Sequence, residues 1–290
     1  MEDIISAAKK EHESALRALW RDIFEDSEEV IDYFFKNHFT PENTAVALRD
    51  GVPVSMGFLL PTGFLNMPDS ENLPCAMIYG VATNVNSRGR GCAEGVTREL
   101  VRIAEESGYS AVVLHPADDG LFGYYENASG FESFFYAEES MLTPDTTPHN
   151  IEIIAVSPEN YCETREKTLR GTAHIALTPE LMKLQEFFSK LYGGGLYAFY
   201  SGGEQVGCAI VEISDGSAHA KELLVTEDAT ASAVGAIASL CDVKSVLIRR
   251  PISQNNVRGN IRRFGMIHRS DNLRASAELP HFAWYGPAFD

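Results

Sequence analysis

The stretch Met77–Gly108 (MIYGVATNVNSRGRGCAEGVTRELVRIAEESG) narrows the folds available to this chain more than any other. It reads as strand, tight basic-glycine turn, helix. Met77 to Thr83 is apolar and closes a β-type run. Arg88-Gly89-Arg90-Gly91-Cys92-Ala93 forms the turn. Ala93, Val96, Leu100, Ile103 and Ala104 then share one helical face, and Gly108 suits the left-handed position that ends such a helix. Two glycines remove the Cβ atoms that would hold a ligand off the backbone. Unpaired N–H groups at the helix start and the helix dipole make an anion site, and Arg88 and Arg90 add charge. The ligand suited to such a turn is a phosphate or pyrophosphate.

Other phosphate loops are excluded by spacing. No G-x-x-x-x-G-K-[ST] occurs, and Gly89-Arg90-Gly91-Cys92-Ala93-Glu94 fails the dinucleotide G-x-G-x-x-G pattern. The turn resembles the acyl-CoA pyrophosphate loop of the GCN5-related N-acetyltransferases (GNAT), [Q/R]-x-x-G-x-[G/A], written here as Arg88-x-x-Gly91-x-Ala93. Gly80-Val81-Ala82-Thr83 resembles that family's splayed fourth strand. Further on, Phe122-Gly123-Tyr124-Tyr125-Glu126-Asn127-Ala128-Ser129-Gly130-Phe131 is similar to the family's F-Y-x-x-x-G-F helix, one residue longer between Tyr125 and Gly130. Whether Tyr124 or Tyr125 takes the family's tyrosine position stays open.

The surrounding chain reads as follows. Asp3 to Ala7 is a short strand, Glu13 to Phe24 an amphipathic helix, and Ser27 caps a second helix over Glu28 to His38. Thr44 to Arg49 and Pro53 to Leu60 flank Asp50-Gly51, a hairpin signal. Pro61 to Pro74 reads as a loop. Ala111 to Leu114 is a buried strand, followed by a turn at Asp118-Asp119-Gly120 and a short helix from Leu121 to Asn127. Thr143 to His149 lacks any period, so the domain boundary is expected there, giving domains 1–145 and 146–290.

The second half reads as a repeat of the first. Tyr197 to Val211 matches the hairpin Val46 to Leu59, Val243 to Pro251 matches Tyr109 to Pro116, and Phe264-Gly265 matches Ser129-Gly130. The counterpart of the phosphate turn, Glu227-Asp228-Ala229-Thr230-Ala231, has no arginine or glycine, and its acids would repel a pyrophosphate. The expected fold class is α/β, with two acetyltransferase-like domains, each a mixed central sheet flanked by helices. The second is degenerate. Tandem arrangements of this kind occur among mycothiol synthase-like and enhanced-intracellular-survival-like relatives.

Charge is uneven. Residues 1–145 hold 10 Lys+Arg against 25 Asp+Glu, and residues 146–290 hold 14 against 16, within a total of −17. So acidic a chain disfavours nucleic-acid binding, and its first half would attract a cation. No apolar stretch is long enough for a membrane span, and the N-terminus has no signal-peptide core. Five scattered cysteines without a CxxC pair fit a reduced, cytoplasmic protein. The histidines show no zinc spacing, so no metal is expected. A homodimer stays open.

The resemblance implies acetyl transfer from acetyl-CoA, as co-substrate, to an amine. Val81, Ala82 and Thr83 would meet the pantetheine arm, with an N–H near Val81 on the thioester oxygen. Arg88, Gly89, Arg90, Gly91, Cys92 and Ala93 would hold the pyrophosphate. Tyr125 would donate a hydrogen bond to the departing sulfur. For the base, Asp118, Asp119, His115, Asp69 and Glu71 compete with ordinary turn and surface roles, and Asp290 is the candidate by analogy with the enhanced-survival-like relatives. The acceptor expected is a small cationic amine. The alternatives are a protein lysine or N-terminal amine, or an acyl-CoA sensor without chemistry. Arg249, Arg250, Arg258, Arg262, Arg263 and Arg269 form a basic run best read as a salt-bridged surface.

Overall fold

A computed structural model describes residues 3–68, 71–144, 150–252, 259–269 and 282–289. In chain order the elements begin with β1 (Ile4–Ala7), α1 (Glu13–Phe24), α2 (Glu28–Asn37), β2 (Thr44–Arg49) and β3 (Val52–Asn66). β4 (Leu73–Thr83), α3 (Cys92–Glu106), β5 (Ala111–Leu114), α4 (Gly120–Ser129) and β6 (Glu132–Leu142) follow. Then come β7 (Glu152–Ala155), α5 (Pro158–Thr168), β8 (His174–Ile175), α6 (Pro179–Leu191) and β9 (Gly195–Ser201). The last are β10 (Glu204–Ser214), β11 (Ser217–Val225), α7 (Thr230–Cys241), β12 (Val246–Arg250) and β13 (Asn260–Arg269).

The described residues fall into two compact units, and neither is one continuous piece of chain. The first holds residues 3–62, 73–133 and 265–269, and the second holds the rest. β3, β6 and β13 each begin in one unit and end in the other.

In the first unit the strand order is β1-β2-β3-β4-β5-β13. β1–β2 and β2–β3 pair antiparallel, β4–β5 parallel, and the second half of β13 closes the row antiparallel to β5, with Met266 opposite Leu114. The β2–β3 turn follows from its sequence, since Asp50 and Gly51 both hold positive φ, at 51° and 80°. α2 starts where Ser27 Oγ accepts from Val30 N at 3.4 Å. α3 lays Val96, Leu100, Ile103 and Ala104 on the sheet in one core with Ala45, Leu59, Val112 and Met266. The approach is close: a Cβ at Gly57 would meet Leu100 at 2.9 Å, and one at Gly95 would meet Ile5 at 2.9 Å. Tyr109 N reaching back to Ala104 O at 3.0 Å, with Gly108 at φ 86°, ends the helix as its sequence implied.

The expected loop from Pro61 to Pro74 is much shorter. β3 continues through Pro61 to Asn66, and β4 starts at Leu73. Alternating burial persists past the proline, with Leu65 buried and Phe64 exposed, and Thr62 Oγ1 donates to Cys75 O at 2.9 Å.

The second unit has the strand order β13-β6-β12-β11-β10-β9-β7. It repeats the pattern of an antiparallel hairpin (β9–β10), a third strand (β11), a helix (α7) and a parallel strand (β12). One proposed anchor of the repeat fails. Gly130 closes α4 at φ 68°, whereas Gly265 lies buried inside β13. Phe282–Phe289 makes isolated bridges at Ala283 and Trp284. It is held by Glu222, whose buried carboxylate takes Trp284 Nε1 and Tyr161 Oη, each at 2.6 Å, and Arg165 Nε at 3.0 Å.

Candidate active site

The site begins where β4 outruns its pairing with β5 in the first unit. β4 pairs with β5 only from Cys75 to Met77, opposite Ala111 to Val113, and then runs six residues further, to Thr83. Gly80 bends it there with φ 60°. A Cβ at Gly80 would lie 3.2 Å from the rings of both Phe58 and Trp20, so glycine is required by conformation and by space. Past this bulge the backbone of Val81, Ala82 and Thr83 has left the β5 register, while its other edge is secured. Ser55 Oγ donates to Ala82 O and lies 2.8 Å from Thr83 Oγ1, and Asn84 N donates to Val54 O at 2.9 Å. The result is a stretch of strand backbone secured on one edge and running on beyond β5 at the other, suited to an extended chain bearing amide groups.

This strand end leads straight into the loop. A single 3-10 turn, Val85–Ser87, precedes Arg88, and Gly91 is the N-cap of α3 with φ 79°. Arg88, Gly89, Arg90 and Gly91 are all exposed. A Cβ at Gly89 or Gly91 would meet nothing within 4 Å, so the need for glycine here is conformational. No side chain caps α3 at Gly91, and its first amides and dipole face the loop. Glu94, the acid of the first turn, is paired with Arg98 at 2.7 Å.

Beneath the loop lies a polar cluster that pattern reading missed. Arg49 Nε and Nη2 donate to Asp3 at 2.8 and 2.6 Å, and Arg49 Nη1 donates to Ser87 Oγ at 2.9 Å. The Cys92 thiol donates to Asp3 Oδ2 at 3.1 Å. Hydrogen bonds from Arg49, then Cys92, hold the Asp3 carboxyl down at about 2. Burial and then Asp3 push the Cys92 thiol up, which disfavours its thiolate.

α4 brings the tyrosines. Phe122 and Tyr125 face the core, and Tyr125 is 8 % exposed. Burial raises its hydroxyl, with a smaller contribution from Tyr124. Tyr124 is half-buried and raised by burial, then by Glu94 and Cys92, which sets it by the first turn of α3. The extra residue before Gly130 is absorbed at the helix end. Gly130 N and Phe131 N both reach back to Tyr125 O, widening the last turn.

Of the candidate bases, Asp118 is a turn former: its Oδ1 accepts from Gly120 N at 2.8 Å and Leu121 N at 3.1 Å. Asp119 and Glu71 are exposed, and His115 is half-buried just past β5. Asp69 and Asp290 lie outside the described residues. On the α1–α2 side, Trp20, Phe34, Phe58 and Tyr79 form an aromatic cluster behind the Gly80 bulge, with Trp20 Nε1 donating to Asp26 at 2.8 Å. Asp22, Glu25 and Glu29, on or beside α1 and α2, are exposed. Among the described residues no cluster of His, Cys, Asp and Glu could hold a metal, and no helix is long and apolar enough to cross a membrane.

In the second unit the equivalent positions are closed. Glu222, two residues past the last β12-paired residue of β11, carries its buried donors where β4 has Tyr79. The turn before α7 is Glu227–Ala229, without glycine, and Glu227 is engaged by Arg250 at 2.7 Å. The basic run is salt-bridged: Arg249 and Arg262 meet Glu139, Arg250 also meets Glu138, and Arg269 meets Glu132. Arg249 is buried as well and stacks on Phe264. Arg258 lies outside the described residues.

Comparison with known proteins agrees with this geometry. Residues 4–132 match the acetyltransferase (GNAT) domain family, and the protein is an acyltransferase. Solved structures share the fold over nearly the whole chain. A probable N-acyltransferase from Enterococcus faecalis has a TM-score of 0.71 at 16 % identity, over 93 % of this chain and 73 % of its own. A GCN5-related N-acetyltransferase from Anabaena variabilis has 0.70 at 17 %, over 92 % and 72 %. Eis1 from Mycobacterium abscessus has 0.66 at 14 %, over 95 % and 75 %. No curated protein sequence matches.

Proposed function

We propose that the first unit transfers an acetyl group from acetyl-CoA to a small cationic amine by direct attack. The observation that carries this reading is the continuity of the end of β4, beyond its pairing with β5, with the glycine loop at the start of α3. One end suits the amide-bearing pantetheine arm and the other its diphosphate. Val81, directly after the bulge, would aim its N–H at the thioester oxygen and stabilise the charge that develops there. The amine nitrogen then bonds to the carbonyl carbon, the C–S bond breaks, and the thiolate leaves. Tyr125 stays protonated at neutral pH, because burial raises its hydroxyl, and would donate a hydrogen bond to that sulfur.

An alkylammonium acceptor must first lose a proton, which costs about 4–5 kcal/mol at pH 7 for a lysine-like amine. The net charge of residues 1–145 and the exposed acids on α1 and α2 favour a cationic acceptor arriving from that side. Calorimetric titration with acetyl-CoA is the test, followed by thiol release against polyamines, aminoglycosides, amino acids and lysine peptides. Binding with turnover on a small amine supports the reading. Turnover on lysine peptides alone redirects the acceptor to proteins, and absence of binding overturns the site.

A further inference from the structure

The exposed loop from Arg88 to Gly91 is held at its edges, where Arg88 Nε donates to Thr83 O at 3.3 Å and Gly91 O accepts from Gly95 N at 2.9 Å. A Cβ at either of its glycines would meet nothing within 4 Å, and both adopt positive φ. Its conformation therefore depends on its two ends, Ser87 and Cys92, each 3 % exposed. Both ends are tied to one ion pair. Arg49 Nη1 holds Ser87 Oγ at 2.9 Å, and Asp3, chelated by Arg49 through Nε and Nη2, holds the Cys92 thiol at 3.1 Å. That thiol also lies 3.7 Å from Ser87 O, linking the two ends directly. One guanidinium thus joins the residue before β1, the end of β2, the turn after β4 and the first residue of α3.

We propose that Arg49, backed by Asp3, is a positioning residue for the diphosphate of the acyl-CoA donor, fixing the loop ends so that the α3 amides converge on one anion. This rests on the reading of the loop given above. Its charge is balanced by Asp3 at 2.6 Å, so the residue acts through geometry rather than by attracting the donor from a distance.

The experiment compares acetyl-CoA with S-acetylpantetheine, which lacks the diphosphate, by calorimetry on the full chain. Arg49→Ala should weaken acetyl-CoA binding about tenfold or more, with S-acetylpantetheine unchanged within about twofold. Arg49→Lys should recover part of the loss. In turnover the KM for acetyl-CoA should rise while kcat holds. Ser87→Ala, which deletes one hydroxyl, should give a smaller loss with the same donor selectivity, and it carries the test if Arg49→Ala fails to fold. Equal weakening of both donors, or no weakening in a folded variant, overturns the positioning role. Failure of the wild-type chain to bind acetyl-CoA at all overturns the loop reading itself, so the two failures are distinguishable.

Discussion

Tyr125 is buried enough that its hydroxyl holds its proton through the neutral range, which fits a hydrogen-bond donor better than an acid. Tyr125→Phe should lower kcat about tenfold or more and leave acetyl-CoA affinity within about twofold, as read by single-turnover kinetics and calorimetry. If Tyr124→Phe gives that signature instead, the donor is the half-buried neighbour beside α3. Asp3 makes a pH prediction of definite sign. Its carboxyl drops from 3.8 to about 2 on folding, so the stabilisation it gives is fully present above pH 3.8 and is lost as pH falls through about 2. Denaturation midpoints of wild type and Asp3→Asn should differ at pH 5 and converge toward pH 2.

Among the elements, β4 concentrates the demands of the site. Gly80→Ala imposes a positive φ on a residue with a side chain and sets its methyl against Phe58 and Trp20. It should cost roughly 1–3 kcal/mol of stability and weaken acetyl-CoA binding, both measurable by denaturant titration with and without donor. Arg88→Glu combined with Gly91→Asp should abolish binding in a folded protein. What the sequence made legible here follows from local physics. α1, α2 and α3 bury one face each, so their periodicity is plain, and the glycines of the loop and hairpin mark positive φ. The run of β3 past Pro61 was hidden because a proline usually ends such a reading. The Asp3–Arg49–Ser87 cluster was hidden for another reason. Its members are 46 and 38 residues apart and obey no repeat, so only the folded sheet brings them together.

For the molecule as a whole, residues 1–145 lack part of what the first unit contains. Gly265–Arg269 supplies the strand beside β5, and Met266 is fully buried in the core with α3. A chain cut after residue 145 should therefore fail to give a cooperative melt or to bind acetyl-CoA, while the full chain does both. The pairing of β5 with β13 carried no local sequence signal, because strand partners so distant share no turn and no period. It also sets an order of events in the cell. A ribosome finishes β5 long before it reaches β13, and in that interval β5 presents an unpaired edge of buried-type residues, Ala111 to Leu114, beside a core still lacking Met266. The half of the polypeptide to which we assign the reaction is synthesised before the strand that completes it, so its yield in vivo rests on how well the nascent chain is shielded during that wait.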